Sequence, residues 1–153
     1  MRKFILPLIA SVAFAAPAMA NNLRAEVRGG VINSDGVTKA TYGVAAGYDV
    51  SLAPMTFVGA EVSADKIDLQ GTQLAYGLTG RAGIRTLTGT TIYGAGGYTT
   101  KQCDFCEGSF HAGAGLEQNM FGPLYIKGEY RHYFAGNSIP DSNAFVAGIG
   151  MKF

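Results

Sequence analysis

The sequence contains little charge of either sign and no long hydrophobic run beyond its first 20 residues. Its 153 residues include 12 Lys and Arg against 11 Asp and Glu, a net charge of +1, which gives no indication of a nucleic-acid partner. Glycine or a charge interrupts every later apolar run, whereas a transmembrane helix needs about 20 apolar residues. The 22 glycines show no Gly-X-Y period, so the chain is not a collagen.

The first 20 residues have the features of a secretory signal peptide. Arg2 and Lys3 form a basic start, residues 4–14 are mostly apolar, and Ala18-Met19-Ala20 places small residues where a signal peptidase reads them. The alternative is an N-terminal transmembrane anchor, but the apolar stretch is too short for one. We therefore predict a signal peptide at 1–20, cleaved near Ala20, and one mature domain at 21–153.

The last residues alternate strictly between two kinds of side chain. One set is entirely apolar and ends on an aromatic residue; it comprises Phe145, Ala147, Ile149, Met151 and Phe153. The residues between them are small, aliphatic or basic: Val146, Gly148, Gly150 and Lys152. A period of two is typical of a β-strand with two unlike faces. The apolar face has no obvious protein partner, which favours lipid as its surroundings.

The same alternation predicts eight strands along the mature chain. Their approximate bounds are 23–32, 39–50, 55–64, 73–85, 91–99, 109–118, 124–134 and 145–153. In the fifth strand Gly94, Gly96 and Gly97 obscure the alternation, so that either face could point outward. The predicted fold class is all-β, an eight-stranded antiparallel up-and-down transmembrane β-barrel.

The connections between these strands alternate in length. Those at 51–54, 87–90 and 119–123 are short, and those at 33–38, 65–72, 100–108 and 135–142 are mostly longer and more polar. Short periplasmic turns and longer outer loops are typical of outer-membrane barrels. An even number of strands then places both termini of the mature chain on the periplasmic side.

The polar faces of the strands carry charges of both signs in similar numbers, so we expect an interior network of ion pairs. Its predicted members are Arg24, Glu26, Arg28, Glu61, Arg81, Arg85, Glu117, Lys127, Glu129 and Arg131. Inward glycines at 43, 47, 59, 113, 115, 148 and 150 would leave room for the long side chains, and a barrel of eight strands is just wide enough to be filled.

The alternative is a soluble β-barrel or sandwich whose apolar face points inward. Tyr or Phe near strand ends, as at Tyr48, Tyr76, Phe110 and Tyr130, favours the membrane because aromatic residues mark its interfaces.

Three segments carry a family resemblance: Gly128-Glu129-Tyr130-Arg131, residues 93–98 and the terminal strand 145–153. The chain resembles the small outer-membrane β-barrel family that includes opacity-type proteins and the transmembrane domain of outer membrane protein A, often labelled the porin family. The resemblance implies the outer membrane of a Gram-negative bacterium, with membrane lipids and the barrel-assembly machinery as partners. In such proteins the machinery reads the terminal strand, which implies contacts at Phe153, Met151 and Ile149. We expect no peptidoglycan-binding domain, because no residues follow Phe153.

Two cysteines lie close together in the third of the longer connections. Cys103 and Cys106 are predicted to form a disulfide, because an exported protein meets an oxidising compartment and the cysteine count is even. A redox-active pair would need a helix N-terminus to lower the pKa of a thiol, and the sequence predicts none there. A metal site could include His111 or Glu107, but no fourth ligand is evident.

The pattern Arg131-His132-Tyr133 precedes the last long connection, which contains Ser138 and Asp141. Some eight-stranded outer-membrane barrels are lipid A deacylases, which resemble a His-x-Ser-Asn pattern. Here Phe134 stands where that pattern needs its nucleophilic serine. We therefore predict an interfacial role for His132 and an interior polar role for His111, with no catalytic, metal or cofactor site.

The resulting functional prediction is a non-enzymatic outer-membrane protein with a structural or surface-interaction role and a lumen filled by side chains. Two alternatives stay open: a lipid A-modifying enzyme and a narrow pore for small solutes. The sequence identifies no partner for the outer loops.

Overall fold

The protein is an eight-stranded antiparallel barrel in the computed structural model, which describes residues 23–68, 73–101, 108–134 and 140–153. The strands are β1 (Leu23–Ser34), β2 (Val37–Ala53), β3 (Thr56–Ile67), β4 (Ala75–Arg85), β5 (Thr90–Thr99), β6 (Ser109–Asn119), β7 (Leu124–Phe134) and β8 (Ser142–Lys152). Each strand is hydrogen-bonded to its neighbours in chain order. The predicted fold class is confirmed.

The sheet closes because the first strand pairs with the last. The register of β1 and β8 runs from Arg24 opposite Lys152 to Ser34 opposite Ser142. A further backbone bond from the Phe153 amide to the Leu23 carbonyl, 2.8 Å long, completes this seam. Closure leaves no edge strand, and in lipid each unpaired backbone group would cost several kcal/mol.

The two faces of the sheet are inverted relative to a protein in water. Large apolar side chains project outward, for example Leu78 with 61% of its surface exposed, while the charged Glu61 of the neighbouring strand is 3% exposed inside. The alternation predicted for seven of the strands is confirmed. A purely soluble barrel would bury the apolar set, so this arrangement agrees with lipid around the outside.

The fifth strand, whose orientation the sequence left open, has a definite sidedness. Ile92 and Tyr98 project outward together with Gly94 and Gly96, and Tyr93 points inward. The two outward glycines lie opposite Ala82 and Gly80 of β4. The pairing of β5 with β4 and β6 decides this orientation, and the alternation within the strand does not.

The barrel has two different ends. The end that holds Leu23 and Phe153 is here called the terminal end, and the opposite end is called the loop end. Three turns lie at the terminal end, between Ala53 and Thr56 and at residues 86–89 and 120–123. Gly89 and Gly122 take positive φ in the second and third turns, where other residues would be strained.

One predicted connection is wrong. The segment 33–38 was expected to be one of the longer outer loops, but Ser34 pairs with Val37 and leaves a turn of two residues, Asp35 and Gly36. Both have positive φ, 48° and 77°. That combination is the type I′ turn favoured by Asp-Gly, because its twist matches that of the flanking strands.

The signal peptide predicted at 1–20 lies outside the described residues, as do Cys103 and Cys106 with their predicted disulfide. Within the part of the chain that is described, no helix has the length and hydropathy that crossing a membrane requires.

Candidate functional site

The interior of the barrel contains a continuous network of charged side chains centred on Glu61 of β3. Arg24 donates to Oε2 of this carboxylate at 2.8 Å, and Arg28 donates to Oε1 at 2.7 Å. Arg131 reaches Oε1 at 3.2 Å, and the Lys127 ammonium lies 3.5 Å from Oε2. Four cations from β1 and β7 therefore converge on one carboxylate that is itself buried.

A second group of ion pairs lies nearer the terminal end. Arg81 of β4 makes two bonds to Asp49, Nε to Oδ1 at 3.0 Å and Nη2 to Oδ2 at 2.6 Å. The same guanidinium donates to Glu117 at 3.2 Å, and Lys152 reaches the other oxygen of Glu117 at 2.5 Å. Paired bonds of a guanidinium to a carboxylate hold geometry as well as charge, so they tie β2, β4, β6 and β8 together.

A third group lies nearer the loop end. Arg28 makes two bonds to Asp65, at 2.8 and 2.5 Å, and Arg131 bonds Glu129 on its own strand. The hydroxyl of Tyr93 donates to the other oxygen of Glu129 at 2.5 Å. The network therefore extends along the barrel from one end to the other.

Three aromatic rings fill the space between the ion pairs. The guanidinium of Arg81 lies 5.0 Å from the ring centre of Phe57 and 4.7 Å from that of Tyr93. Tyr125 donates its hydroxyl to Glu26 at 2.8 Å, and Glu26 also lies 2.5 Å from the Lys127 ammonium. Cations over ring faces gain an attraction that needs no further hydrogen-bond partner.

Small residues on the inward face make this filling possible. A Cβ added at Gly115 would lie 2.4 Å from Cζ of Tyr93, and one at Gly150 would lie 2.5 Å from Cζ of Tyr125. Real Cβ atoms do not approach other atoms so closely, so each ring occupies the volume that the missing side chain leaves. At Gly47 an added Cβ would lie 2.6 Å from Nη2 of Arg24, so the predicted room for a charged side chain is confirmed there, whereas at Gly115 and Gly150 the room is taken by tyrosine rings that the prediction did not include.

His111 lies inside the barrel towards the loop end. Its Nε2 is 3.0 Å from Oγ1 of Thr79 and its Nδ1 is 3.2 Å from Oγ1 of Thr99, while its ring lies against Tyr133 with centres 5.4 Å apart. Both ring nitrogens are thus engaged by hydroxyl groups. This environment is an interior polar contact, and no metal-binding group of three or more His, Cys, Asp or Glu occurs among the described residues.

A small cavity remains between some of these side chains. A cavity of about 20 Å³ lies at the loop end of the interior, lined in part by Arg28, Asp65, Thr99, Arg131 and Tyr133. This volume holds about one water molecule.

The structure brings nine of the ten residues predicted for the network together as buried groups: Arg24, Glu26, Arg28, Glu61, Arg81, Glu117, Lys127, Glu129 and Arg131. Arg85 differs, since 29% of its side chain is exposed at the terminal end, where its guanidinium lies 4.7 Å from the Phe57 ring and 3.5 Å from Asp49. Phe153, Met151 and Ile149, predicted as the assembly signal, all project outward from the end of β8.

Five members of the network were missed by the sequence reasoning: Asp49, Asp65, Tyr93, Tyr125 and Lys152. Asp49 alternates in step with the inward Gly43 and Gly47, and Lys152 with Gly148 and Gly150, and this alternation is the signal that both belong with the other charges. Tyr93 lies in the glycine-rich strand, where the alternation was ambiguous. Tyr125 is the second residue of β7. Its alternation with the inward Lys127 and Glu129 is the only signal in the sequence that it points inward.

His132, considered as a catalytic candidate, lies on the outward face at the loop end. Its Nδ1 is 2.9 Å from Oδ1 of Asn143, which also accepts a bond of 2.6 Å from the Tyr130 hydroxyl. Its Nε2 is 3.3 Å from Oδ2 of Asp141. Ser138, the serine considered with it, lies outside the described residues.

Comparison with known proteins agrees with this architecture. The model of the outer membrane protein beta-barrel domain family matches residues 6–153. Comparison with the curated proteins gives no match.

Several solved structures share the fold. Neisserial surface protein A is 15% identical with a TM-score of 0.56, covering 86% of this chain and 96% of that one. The N-terminal β-barrel domain of Pseudomonas aeruginosa OprF is 15% identical with a TM-score of 0.58, covering 87% and 100%. Ail, the attachment invasion locus protein of Yersinia pestis, is 15% identical with a TM-score of 0.55, covering 88% and 100%. At these identities the likeness concerns the fold alone.

Proposed function

Because this chain belongs to the outer membrane protein β-barrel domain family, we propose that it is a non-enzymatic outer-membrane protein with a structural or surface-interaction role. Residues 1–20 direct its export and are removed near Ala20. Lipids of the outer membrane surround its apolar faces, and the barrel-assembly machinery inserts it by way of the β8 strand. Its interior is a closed plug, and its loop end faces the outside of the cell.

The observation that carries this proposal is the filled interior. Glu61 is held by Arg24, Arg28, Arg131 and Lys127, and the cavity beside this cluster has room for about one water. A pore requires a continuous aqueous path, and the groups blocking it here are bonded to partners on opposite walls. Such a barrel serves as a rigid support for its loops better than as a channel.

Planar-bilayer recording on the purified, detergent-refolded protein tests the closed interior. We expect no steady conductance under conditions in which a porin reconstituted in the same way conducts. A reproducible unitary conductance from this chain would favour the narrow-pore alternative and reject the plug.

One observation favours an enzyme as a second candidate. His132 and Asp141 lie 3.3 Å apart at the loop end, where the lipid A of the outer leaflet would be within reach. However, the two ring nitrogens of His132 are already engaged by Asp141 and Asn143, so neither faces a nucleophilic hydroxyl among the described residues. We therefore propose that His132 supports the loop end and does not act as a base.

Lipid A mass spectra from a deletion strain separate these two candidates. We expect the same acyl pattern with and without the gene, while envelope integrity, scored as sensitivity to detergent, declines in its absence. A changed acyl pattern, restored by the native protein but not by a His132→Ala variant, would establish the enzyme instead.

The chemistry of the loop end limits which surface partners fit. By sequence, the connections at residues 35–36, 68–74, 100–108 and 135–141 contain one lysine (Lys101) against five acids (Asp35, Asp68, Asp104, Glu107, Asp141), while Lys39 and Lys66 lie near the ends of the adjoining strands. One solved structure of Ail contains the heparin analogue sucrose octasulfate. A net negative loop end repels such polyanions, so we propose a different class of partner, with the third connection braced by a Cys103–Cys106 disulfide.

A further inference from the structure

The three turns at the terminal end expose large apolar side chains at their tips or at the strand end beside them. Leu87 is 97% exposed and Phe121 is 83% exposed at two of the tips, and Leu52, near the end of β2 beside the other turn, is 67% exposed. Phe153 projects beside them at the end of the barrel. These four residues are here called the apolar rim. Side chains of this size at the tips of tight turns gain nothing from water, which normally contacts polar residues at such positions.

The same turns contain no charged residue. Residues 51–56, 86–90 and 119–124 include no Asp, Glu, Lys or Arg, in contrast to the connections at the loop end. The two cations nearest the rim turn inward. The Arg85 guanidinium lies 4.7 Å from the Phe57 ring, and Lys152 binds Glu117 at 2.5 Å with its ammonium 5.2 Å from the Tyr125 ring.

The uncharged polar groups near the rim are bonded to each other. The hydroxyl groups of Thr86 and Thr88 lie 2.8 Å apart, and Thr90 donates to the side chain of Gln118 at 2.6 Å. Gln118 in turn donates to the carbonyl of Thr88 at 3.3 Å. Mutual bonding of this kind suits surroundings that supply few hydrogen-bond partners, as lipid does.

The rim is also continuous with the outward apolar surface of the strands. Val50, Ile84 and Ile126 project outward close to the three turns, and no charged side chain faces outward between them and the tips. At the loop end, by contrast, Lys66 and His132 occupy the outward face. Polar side chains therefore border the lipid-facing surface at the loop end, but not at the terminal end.

We propose that the apolar rim lies within the lipid of the periplasmic leaflet, at the boundary between headgroups and acyl chains. The barrel then sits with its terminal end level with the membrane surface, and any projection into water is at the loop end. This inference rests on the proposed location in the outer membrane. It adds that phospholipid covers the turns, which would otherwise be available to a periplasmic protein.

The absence of tryptophan from the sequence makes a direct test possible. Single variants Leu87→Trp and Phe121→Trp each carry one reporter at a tip where the native side chain makes little contact. Leu78→Trp places the reporter on the outward face between the ends, and Val37→Trp places it beside the Asp35-Gly36 turn at the loop end. Each variant is refolded into phosphatidylcholine vesicles with bromine atoms on the acyl chains close to the headgroup.

We expect the Leu87→Trp and Phe121→Trp variants to emit at short wavelength, to lose fluorescence to the brominated lipid and to resist quenching by aqueous iodide. Val37→Trp should show the opposite on all three measures. Iodide quenching of the two turn variants, with Leu78→Trp still quenched by lipid, would overturn the rim proposal and leave the turns as a protein-binding surface. Lipid quenching of Val37→Trp would overturn the one-sided placement, and iodide quenching of Leu78→Trp would overturn the membrane barrel itself.

Discussion

At the scale of single residues, neighbouring side chains along one strand occupy opposite environments. Glu129 is buried among cations, while Tyr130, the next residue, projects outward and bonds Asn143. A charge is tolerated on the inward side because its partners replace the water it loses. A basic side chain on the lipid side would cost about 2–4 kcal/mol near the middle of the membrane. Whether a strand position points inward or outward therefore decides which side chains are tolerated there.

Removing the charge of Glu61 should destabilise the barrel. A Glu61→Gln substitution keeps the shape but leaves Arg24, Arg28 and Arg131 with less negative charge to share. We expect the free energy of unfolding to fall by about 3–5 kcal/mol, the usual effect of breaking a buried ion pair. Urea titration in lipid vesicles measures this, with the exposed Asp68→Asn as the matched control. Equal stability of the two variants would contradict a central role for Glu61.

The glycine beneath the Tyr93 ring should not accept a methyl group. Gly115→Ala would place a Cβ 2.4 Å from Cζ and Oη of Tyr93, so the ring must move away from Glu129. We expect a loss of about 1–3 kcal/mol in the same urea titration. Gly128→Ala is the control, because this outward glycine has no atom within 4 Å of an added Cβ. Similar losses at both positions would show that strand propensity, and not the ring contact, is responsible.

At the scale of elements, β8 combines two duties. Its backbone closes the barrel against β1, and its outward face ends in Ile149, Met151 and Phe153. The inward positions between them are Gly150 and Lys152, the first making room for Tyr125 and the second binding Glu117. The outward side chains make no interior contact, which leaves them available for the proposed recognition by the barrel-assembly machinery.

Shortening the final side chain should affect assembly more than stability. We expect Phe153→Ala to lower the amount of folded protein in the outer membrane severalfold, while the purified chain refolds into vesicles with nearly native stability. Quantitative electrophoresis of unheated membrane fractions measures the first effect, and urea titration measures the second. Phe110→Ala, another outward aromatic residue, is the control and should assemble normally. Normal assembly of Phe153→Ala would show that the terminal residue is not part of the assembly signal.

At the scale of the whole molecule, closure and the interior network act together. Every strand pairs with two others, and ion pairs join strands that are not adjacent, as Arg81–Asp49 does for β4 and β2 and Arg131–Glu61 for the opposite strands β7 and β3. Unfolding one strand would open an edge and break several ion pairs at once. The barrel should therefore unfold as a unit.

This cooperativity predicts a shift in electrophoretic mobility on heating. An unheated sample in dodecyl sulfate should keep its closed shape and migrate differently from a boiled one, because detergent alone does not open a sheet without edges. Gel electrophoresis of both samples is the measurement, and the Glu61→Gln variant should convert at a lower temperature. A single band at the same position before and after boiling would speak against a closed barrel.

The number of strands, and the side to which almost every residue points, can be predicted from the sequence because a period of two is a local property of each strand. The sequence also identified most of the interior charges, such as Arg24, Glu61 and Arg131, from parity alone. Turn chemistry is also local: Asp35 and Gly36 form the Asp-Gly pair typical of a two-residue hairpin turn, and for this reason the longer loop predicted at 33–38 is wrong.

Which charges meet, and which side of β5 faces outward, depends instead on how the strands pair in the closed barrel. The partners of Glu61 come from β1 and β7, up to 70 positions away, and their meeting depends on the stagger of the closed sheet. Glycine gives no sidedness, so pairing with β4 and β6 had to orient the Gly94–Gly97 stretch. Contacts across a lumen depend on closure, and closure is a property of all eight strands together.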